Sequence, residues 1–184
     1  MHDLHNIPRQ SSHIHVCPLS AVPDVVASHA ASHLVTCLKD ELLLGETPAP
    51  VKPGNHMRLR IDDIAQPIAG YIAPDATHVA QLLEFAAAWD QQGPMVIHCW
   101  AGISRSTAAA FVTLCALNPE APEALIARML RDASPTAYPN RLLIRLGDAA
   151  LGRAGRMVEA VESIGRGEVA GEAVPFSLPT DLTR

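Results

Sequence analysis

The chain has 184 residues, of which 48% are hydrophobic and 18% are charged, and its formal net charge is −5. This size and composition predict one globular domain with a buried core and exclude an intrinsically disordered chain. With 14 basic against 19 acidic residues, a general nucleic-acid surface or anionic-membrane surface is not favoured. We therefore expect ligands to bind at a local site.

The chain alternates predicted strands and helices. Alternating or continuous apolar patterns predict strands over residues 13–16, 33–38, 57–61 and 95–98. Apolar residues at helical spacing predict helices over residues 22–30, 75–92, 104–117, 121–132, 141–151 and 153–164. Loops that contain several Pro and Gly residues are predicted over 42–55 and 66–75. This order predicts an α/β fold with a mostly parallel central sheet of four to five strands and helices on both faces.

Residues 1–164 are predicted to form one domain, and residues 165–184, rich in Gly and Pro, to form an extended C-terminal tail. Residues 1–6 lack the basic and apolar regions of a signal peptide, and the apolar run 108–117 is too short to span a bilayer. The four cysteines are widely spaced without a C-x-x-C pair, which argues against a disulfide framework. We expect a cytoplasmic protein without stable membrane insertion, and the alanine-rich composition suits a bacterium.

The most informative segment is His98-Cys99-Trp100-Ala101-Gly102-Ile103-Ser104-Arg105-Ser106-Thr107, between a predicted strand and a predicted helix. In parallel α/β sheets, ligands bind at the carboxyl ends of the strands, and Cys99 lies at such an end. A nucleophile, a loop of small residues and an arginine therefore meet at a helix N-terminus. That combination is suited to binding a phosphate and attacking it with sulfur.

Each part of this segment has a chemical reason. A cysteine nucleophile must be a thiolate, which the N-terminus of the following helix and the Arg105 cation favour. Arg105 forks two hydrogen bonds onto phosphate oxygens, Ser106 is placed to donate to the Cys99 sulfur, and His98 fixes the loop or tunes the thiol from behind. Gly102 permits a turn that other residues avoid. The expected phosphate-binding N–H groups are those of Trp100, Ala101, Gly102, Ile103 and Ser104.

The pattern His98-Cys99-x5-Arg105-Ser106, with Gly102 and Ser104 inside it, resembles the signature of the cysteine-based protein tyrosine phosphatases. Its Ala-Gly-x-Ser-Arg-Ser form is most similar to the small dual-specificity-like branch, including compact bacterial members. Weaker similarity extends over residues 13–164. The resemblance implies metal-independent hydrolysis of phosphate monoesters without a cofactor, through a phosphocysteine. The implied substrates are phosphotyrosine proteins, with phosphoserine, phosphothreonine and small phosphate esters left open.

The resemblance also implies a general acid on a separate loop. Asp62 and Asp63 are candidates, since they lie where a predicted strand opens into a loop that contains Pro and Gly. Asp63 is chosen because similar bacterial sequences carry an Asp-Ile pair at this place, and Asp62 stays open. Asp75 is a third candidate, although its position fits a helix N-cap better.

Three further interpretations concern residues outside the loop. The resemblance implies that Cys37 bonds Cys99 reversibly on oxidation. The alternative, that Cys37 is a buried small apolar residue, is favoured. His13 and His15 share one strand face and are interpreted as exposed histidines, not metal ligands. Arg153 is expected on a solvated helical face.

Two other functions stay open. A phosphoinositide or small-molecule phosphatase would use the same chemistry, but such enzymes often carry lysines in the loop, where this chain has uncharged residues. A catalytically weak phosphoprotein-binding module would bind phosphate without turnover, and the intact Cys99, Arg105 and Ser106 argue against it. Trp100 is expected either to rim the pocket or to pack beneath it.

Overall fold

The computed structural model describes residues 12–40, 43 and 45–182, so residues 1–6, with the predicted lack of a signal peptide, lie outside the described part. A five-stranded sheet forms the centre of the fold, in the order β3-β2-β4-β1-β5. Strands β1 to β4 are parallel, and β5 runs antiparallel to β1 at the edge, which confirms the predicted sheet. The strands are β1 (His13–Pro18), β2 (His33–Cys37), β3 (His56–Leu59), β4 (Met95–Cys99) and β5 (Phe176–Pro179).

Helices cover both faces of this sheet, as predicted. One face carries α1 over a small apolar cluster, and the opposite face carries the other five helices over the main core. The helices are α1 (Val22–Ser28), α2 (Ala76–Ala88), α3 (Arg105–Leu117), α4 (Glu123–Ala133), α5 (Arg141–Ala150) and α6 (Arg156–Ser163). In the described part of the chain, no helix is long and apolar enough to cross a bilayer.

Helix α3 lies at the centre of the main core. Every residue from Ser106 to Cys115 is buried, which agrees with a sequence that is apolar on nearly all sides. Its first turns carry three consecutive alanines, 108–110, each with no exposed surface. Small side chains let the helix approach β4 closely, so the helix N-terminus is held directly beside the end of that strand.

Alternation along the two central strands sorts the site residues onto opposite faces of the sheet. Val35 and Ile97 belong to the main core, whereas Leu34 and Val96 pack in the cluster under α1. Because side chains alternate along a strand, Cys99 lies on the α3 face and its neighbour His98 on the α1 face. The nucleophile candidate and the residue before it therefore lie in different environments.

The C-terminal residues are part of the sheet. Phe176–Pro179, inside the segment predicted as an extended tail, is extended and pairs with β1, so the sheet continues beyond the predicted domain boundary at residue 164. The Gly- and Pro-rich composition of this segment concealed a four-residue strand. Residues 165–175 connect α6 to β5 and pass beside the Cys99 loop, where Ala173 N donates to Ala101 O at 2.8 Å.

The expectation that Arg153 lies on a solvated face was wrong. Its residue surface is 8% exposed, and its guanidinium donates to the carboxylate of Glu123 at 3.2 Å and to the carbonyl of Cys115 at 2.8 Å. Glu123 also pairs with Arg156 at 3.2 Å. A buried carboxylate needs such partners, and they fix the start of α6 against α4.

The expectation of exposed histidines was wrong for His15, which is 6% exposed. Its ring stacks on His29 with centroids 3.8 Å apart, and Ser177 on β5 lies 2.7 Å from its Nδ1. Burial lowers the pKa of His15, His56 and His98 to about 4 in each case. The folded protein therefore holds three neutral histidines in conditions where an unfolded chain would protonate them.

We predict that the free energy of unfolding falls as the pH is lowered from 7 to 5. Between pH 6.5 and the lowered pKa values near 4, the unfolded chain binds protons that the folded chain does not. The fully buried His98 alone is expected to cost about 2 kcal/mol over this range. Urea unfolding in a pH series measures the effect, and a free energy that is constant from pH 7 to pH 5 would contradict it.

Candidate active site

The loop from Cys99 to Arg105 joins the carboxyl end of β4 to the N-terminus of α3. Its carbonyl groups are held by four N–H donors from three other segments of the chain. The bonds are Leu19 N to Trp100 O at 3.1 Å, Ala173 N to Ala101 O at 2.8 Å, Tyr138 N to Ile103 O at 2.9 Å and Asn140 N to Ser104 O at 3.2 Å. In each of these bonds the loop supplies the acceptor.

The outward carbonyls turn the loop N–H groups inward. In a trans peptide the C=O of one residue and the N–H of the next point in opposite directions. The four outward carbonyls therefore direct the following N–H groups, those of Ala101, Gly102, Ser104 and Arg105, towards the inner side of the loop. A cavity of about 310 Å³ lies there. Converging N–H groups at the start of the 13-residue α3 form an anion-binding site.

Gly102 is required by two independent features of this loop. Its φ is +72°, a conformation that L side chains rarely adopt. A Cβ atom there would also lie 2.8 Å from the nitrogen of Pro18 and 2.9 Å from the carbonyl carbon of Cys17. Because both obstacles are backbone atoms of β1, they cannot move aside as a flexible side chain could.

The Cys99 sulfur faces the cavity from its floor. Cys99 is 1% exposed, and its Sγ lies 3.1 Å from the hydroxyl of Ser106 in the first turn of α3. The hydroxyl of Ser106 is thus in position to donate a hydrogen bond to sulfur. The sequence-based expectation for this pair agrees with its geometry.

Arg105 approaches the same cavity from the side. Its Nη1 donates to the carbonyl of Ile61 at 3.0 Å, which anchors one end of the guanidinium. Its Nε is buried without a hydrogen-bond partner, and the nearest carboxylate oxygen, Asp63 Oδ2, is 3.9 Å away. A buried donor without a partner is costly, so this nitrogen is available for the oxygen of a bound anion.

The structure separates the two neighbouring aspartates. Asp63 lines the cavity with Cys99, and its Oδ1 accepts from Ser104 Oγ at 2.7 Å and from Asn140 Nδ2 at 2.9 Å. Asp62 instead accepts from the N–H of Ile72 at 2.7 Å and lies outside the set of residues that line the cavity. The carboxylate of Asp63 is thus held beside the cavity.

Asp75 lies at the start of α2 and accepts from the N–H of His78 at 3.0 Å, which confirms the predicted N-cap. The bonds to His78 hold the pKa of Asp75 below its usual value. Asp75 thus caps α2 and is not among the residues that line the cavity.

Sequence reasoning missed two contributions to the site. Asn140 caps α5 through its Oδ1, which accepts from the N–H of Leu142 and of Leu143 at 3.1 Å, and this leaves its Nδ2 for Asp63. The Pro-Asn pair before an apolar helix could have indicated the cap, but nothing indicated the bond to Asp63. The second contribution is a wall of the cavity formed by residues 170–171, from the segment predicted as a tail.

The rim of the cavity is apolar on the side of Trp100. Trp100 is 54% exposed and lines the opening. Of the two expected positions, it therefore takes the one at the rim of the pocket and not the one beneath it. Ala170 and Gly171 add small residues to the lining. The opening thus combines the aromatic side chain of Trp100 with two small residues.

His98 and Cys37 lie behind the loop. His98 is fully buried, and its Nδ1 is 3.4 Å from the carbonyl oxygen of Cys99. Thr36 pairs with His98 in the sheet register, so the next residue, Cys37, lies beside Cys99 on the α3 face. Burial raises the pKa of the Cys37 thiol, which keeps it protonated. A reversible bond between the two cysteines stays a prediction.

Comparisons with known proteins agree with this geometry. A family model for protein-tyrosine phosphatase matches residues 70–132, which include the Cys99 loop. No curated protein matches the sequence significantly. Among solved structures, DUSP15 is similar with a TM-score of 0.57 at 14% identity, over 82% of this chain and 89% of that chain. The PTP-2 phosphatase of Cydia pomonella has a TM-score of 0.56 at 16% identity, over 74% and 84% of the two chains. Human DUSP28 has a TM-score of 0.53 at 18% identity, over 76% and 94%.

At these identities the structural matches show a shared fold. The family model covers the residues that carry the loop, and a putative dual specificity phosphatase of mouse is among the proteins with this fold. The chain is therefore similar in fold to protein phosphatases, and the matched segment includes Cys99 and Arg105.

We predict that Gly102→Ala abolishes inorganic phosphate binding and destabilises the protein by more than the cost of a positive φ alone, which is about 1–2 kcal/mol. The excess comes from the clash with the main chain of β1. Gly152→Ala is the matched control, because Gly152 has φ +63° and nothing within 4 Å of its added Cβ. Urea unfolding and calorimetric phosphate binding measure both variants. Equal loss of stability in the two would contradict the clash.

Proposed function

We propose that the protein is a cysteine-dependent phosphatase that hydrolyses phosphate monoesters through a phosphocysteine intermediate. The observation that carries this proposal is the convergence of three groups from separate elements on one cavity. These groups are the Cys99 sulfur, the Arg105 guanidinium with its unpartnered Nε, and the Asp63 carboxylate. A nucleophile, a phosphate clamp and a proton donor are the parts that this reaction needs.

In the first step, the Cys99 thiolate attacks phosphorus in line with the leaving oxygen. The S–P bond forms while the bond between phosphorus and the ester oxygen breaks, and protonated Asp63 gives its proton to that oxygen. The loop N–H groups and Arg105 bind the equatorial oxygens, where negative charge accumulates. These groups supply the charge stabilisation that a metal ion supplies in other phosphatases.

In the second step, water replaces the sulfur. The Asp63 carboxylate, now ionised, takes a proton from the attacking water, the new P–O bond forms, and the S–P bond breaks. The hydroxyl of Ser106, 3.1 Å from Sγ, stabilises the departing thiolate. Inorganic phosphate is released, and both Cys99 and Asp63 return to their starting protonation states.

Phosphotyrosine in proteins is the substrate that the rim favours. The exposed face of Trp100 offers an aromatic surface for a phenyl ring, at the edge of the phosphate-binding loop. Phosphoserine and phosphothreonine stay open as substrates, since residues 170–171 add only small side chains to the lining. A polyphosphorylated inositol is less suited, because Arg105 is the single cation among the residues that line the cavity.

A binding module without turnover would need the loop N–H groups and Arg105 to bind phosphate, but it would not need a general acid. The bonds from Ser104 and Asn140 that hold Asp63 at the cavity are therefore unnecessary for it. We favour the enzyme for this reason. Tight vanadate binding without any hydrolysis by the intact protein would instead identify a binding module.

We predict metal-independent hydrolysis of p-nitrophenyl phosphate that Cys99→Ser reduces to background. Arg105→Lys is expected to lower kcat/KM about 100-fold or more, because lysine cannot make the paired hydrogen bonds. Assays in the presence of a chelator measure both variants. Activity that persists in Cys99→Ser, or that requires an added metal, would contradict the thiolate mechanism.

We predict that Asp63→Asn lowers kcat/KM for a phosphotyrosine peptide about 100-fold or more, while Asp62→Asn has little effect. Asp62 is the matched control, since it is adjacent in the chain but lies outside the cavity lining. The loss should be smaller with p-nitrophenyl phosphate, whose leaving group needs little protonation. The opposite ranking of the two variants would assign the acid to Asp62.

We predict that Asn140→Ser lowers the activity of the enzyme towards phosphotyrosine peptide without a large loss of stability. Serine retains a helix-capping oxygen for α5 but is too short to replace the 2.9 Å bond from Nδ2 to Asp63. Steady-state kinetics and thermal unfolding separate the two roles. Unchanged kinetics would show that Asn140 serves only as the cap.

A further inference from the structure

A row of polar side chains leads to the Cys99 loop from behind, on the sheet face that carries α1. The Thr47 hydroxyl lies 2.7 Å from His56 Nδ1, and His56 Nε2 lies 2.8 Å from the Thr36 hydroxyl. The same hydroxyl lies 2.8 Å from His98 Nε2, and His98 Nδ1 lies 3.4 Å from the carbonyl oxygen of Cys99. The row joins a half-buried loop residue to the peptide that follows the nucleophile.

The Cys99 carbonyl determines the direction of every bond in this row. A carbonyl oxygen only accepts, so His98 Nδ1 carries the hydrogen. Burial lowers the pKa of His98 to about 4, so the ring is neutral at pH 7 and its Nε2 accepts. Thr36 must then donate its one hydrogen to His98, and its oxygen accepts from His56 Nε2. Neutral His56 in turn accepts at Nδ1 from the Thr47 hydroxyl.

Burial makes the opposite arrangement of donors and acceptors in this row energetically unfavourable. Thr36 is 1% exposed and His98 is fully buried, so water cannot replace a lost partner at either residue. The opposite tautomer of His98 would set a ring lone pair against the Cys99 carbonyl. Ionisable groups that face His98 from neighbouring elements are His56 and Arg58 on β3, Arg105 on α3 and Cys17 on β1.

The last bond of the row acts on the phosphate-binding loop. His98 holds the C=O of Cys99, and in a trans peptide the N–H of Trp100 then points the opposite way. Trp100 lines the cavity, so its N–H joins the N–H groups that the other outward carbonyls direct inward. A hydrogen bond to the C=O also polarises the peptide and strengthens its N–H as a donor.

We infer that Thr36, His56 and Thr47 are positioning residues that hold His98 in its Nδ1–H form and thereby keep the Trp100 N–H directed at the Cys99 sulfur and at the bound phosphate. The expected effect on turnover rests on the proposed phosphatase function. The tautomers and the reactivity of Cys99 are measurable without any turnover, so the two proposals fail separately.

The first test uses the unmodified protein. Long-range ¹H–¹⁵N NMR of the histidine rings at pH 7 should show the hydrogen of His98 on Nδ1 and that of His56 on Nε2. The opposite tautomer on either ring would overturn the inference. If the protein hydrolyses phosphate esters but lacks these tautomers, the phosphatase proposal holds and this inference fails. If the tautomers are present but hydrolysis is absent, this inference holds and the phosphatase proposal fails.

The second test uses Thr36→Val, which removes the hydroxyl at nearly constant shape, with Thr36→Ser as the matched variant that keeps it. The rate of Cys99 alkylation by iodoacetamide at pH 6 should fall about fivefold in Thr36→Val and be retained in Thr36→Ser, as expected for loss of one hydrogen bond. The urea-unfolded proteins should react at equal rates, because the folded surroundings of Cys99 are then absent from all of them. Equal rates of Cys99 alkylation at pH 6 in Thr36→Val and Thr36→Ser would overturn the inference.

Thr47→Val keeps the inference testable if Thr36→Val fails to fold, because Thr47 is only half-buried. It should place a mixture of both tautomers on His56 and lower Cys99 alkylation at pH 6 by a smaller factor, since the change lies three bonds away. An unaltered His56 tautomer in this variant would show that Thr47 does not fix the tautomer of His56. That result would contradict the inference that Thr47, His56 and Thr36 act together.

Discussion

The chemistry that we propose for the site depends on the orientation of the peptides in the Cys99 loop. Donors from the β1–α1 connection, the α4–α5 connection and the segment before β5 hold the loop carbonyls outward. An anion-binding loop without an anion places several N–H dipoles close together, which is unfavourable by itself. The outward bonds offset that cost before any ligand binds. For the proposed phosphatase, the loop would thus be preorganised, and little reorganisation would be needed when charge develops on a bound phosphate.

The two faces of the sheet carry different groups of the site. The α3 face carries the sulfur, the helix N-terminus and the arginine, which act on a ligand directly. The α1 face carries His98 and Thr36, both buried, which act through the main chain. One central strand, β4, presents both groups because adjacent residues alternate across it. A change on the α1 face can thus alter the chemistry without touching the cavity.

Much of this arrangement could be predicted from the sequence, because the loop motif concentrates the phosphate-binding groups in consecutive residues. The strand–helix alternation was sufficient to predict the sheet, and the loop motif was sufficient to predict where Cys99, Arg105 and Ser106 come together. Spacing could not separate Asp63 from Asp62, since the turn after β3 decides which carboxylate faces inward. Arg153 looked solvated because its partner, Glu123, is distant in the sequence. Asn140 and residues 170–171 reach the site only through tertiary contacts, for which no local pattern exists.

The wall at residues 170–171 shapes the opening of the cavity without supplying any of the groups proposed to act on phosphate. It contributes only small side chains to the cavity, and its anchor to the loop is a main-chain bond from Ala173 N that any residue except proline can make. Substitutions in the wall can therefore reshape the aperture while the anchor persists. The groups proposed to act on phosphate lie on other elements, so the shape of the opening and the proposed chemistry depend on different segments of the chain. The stretch between α6 and β5 is therefore the place where the size of a bound group can be altered while β4 and α3 stay unchanged.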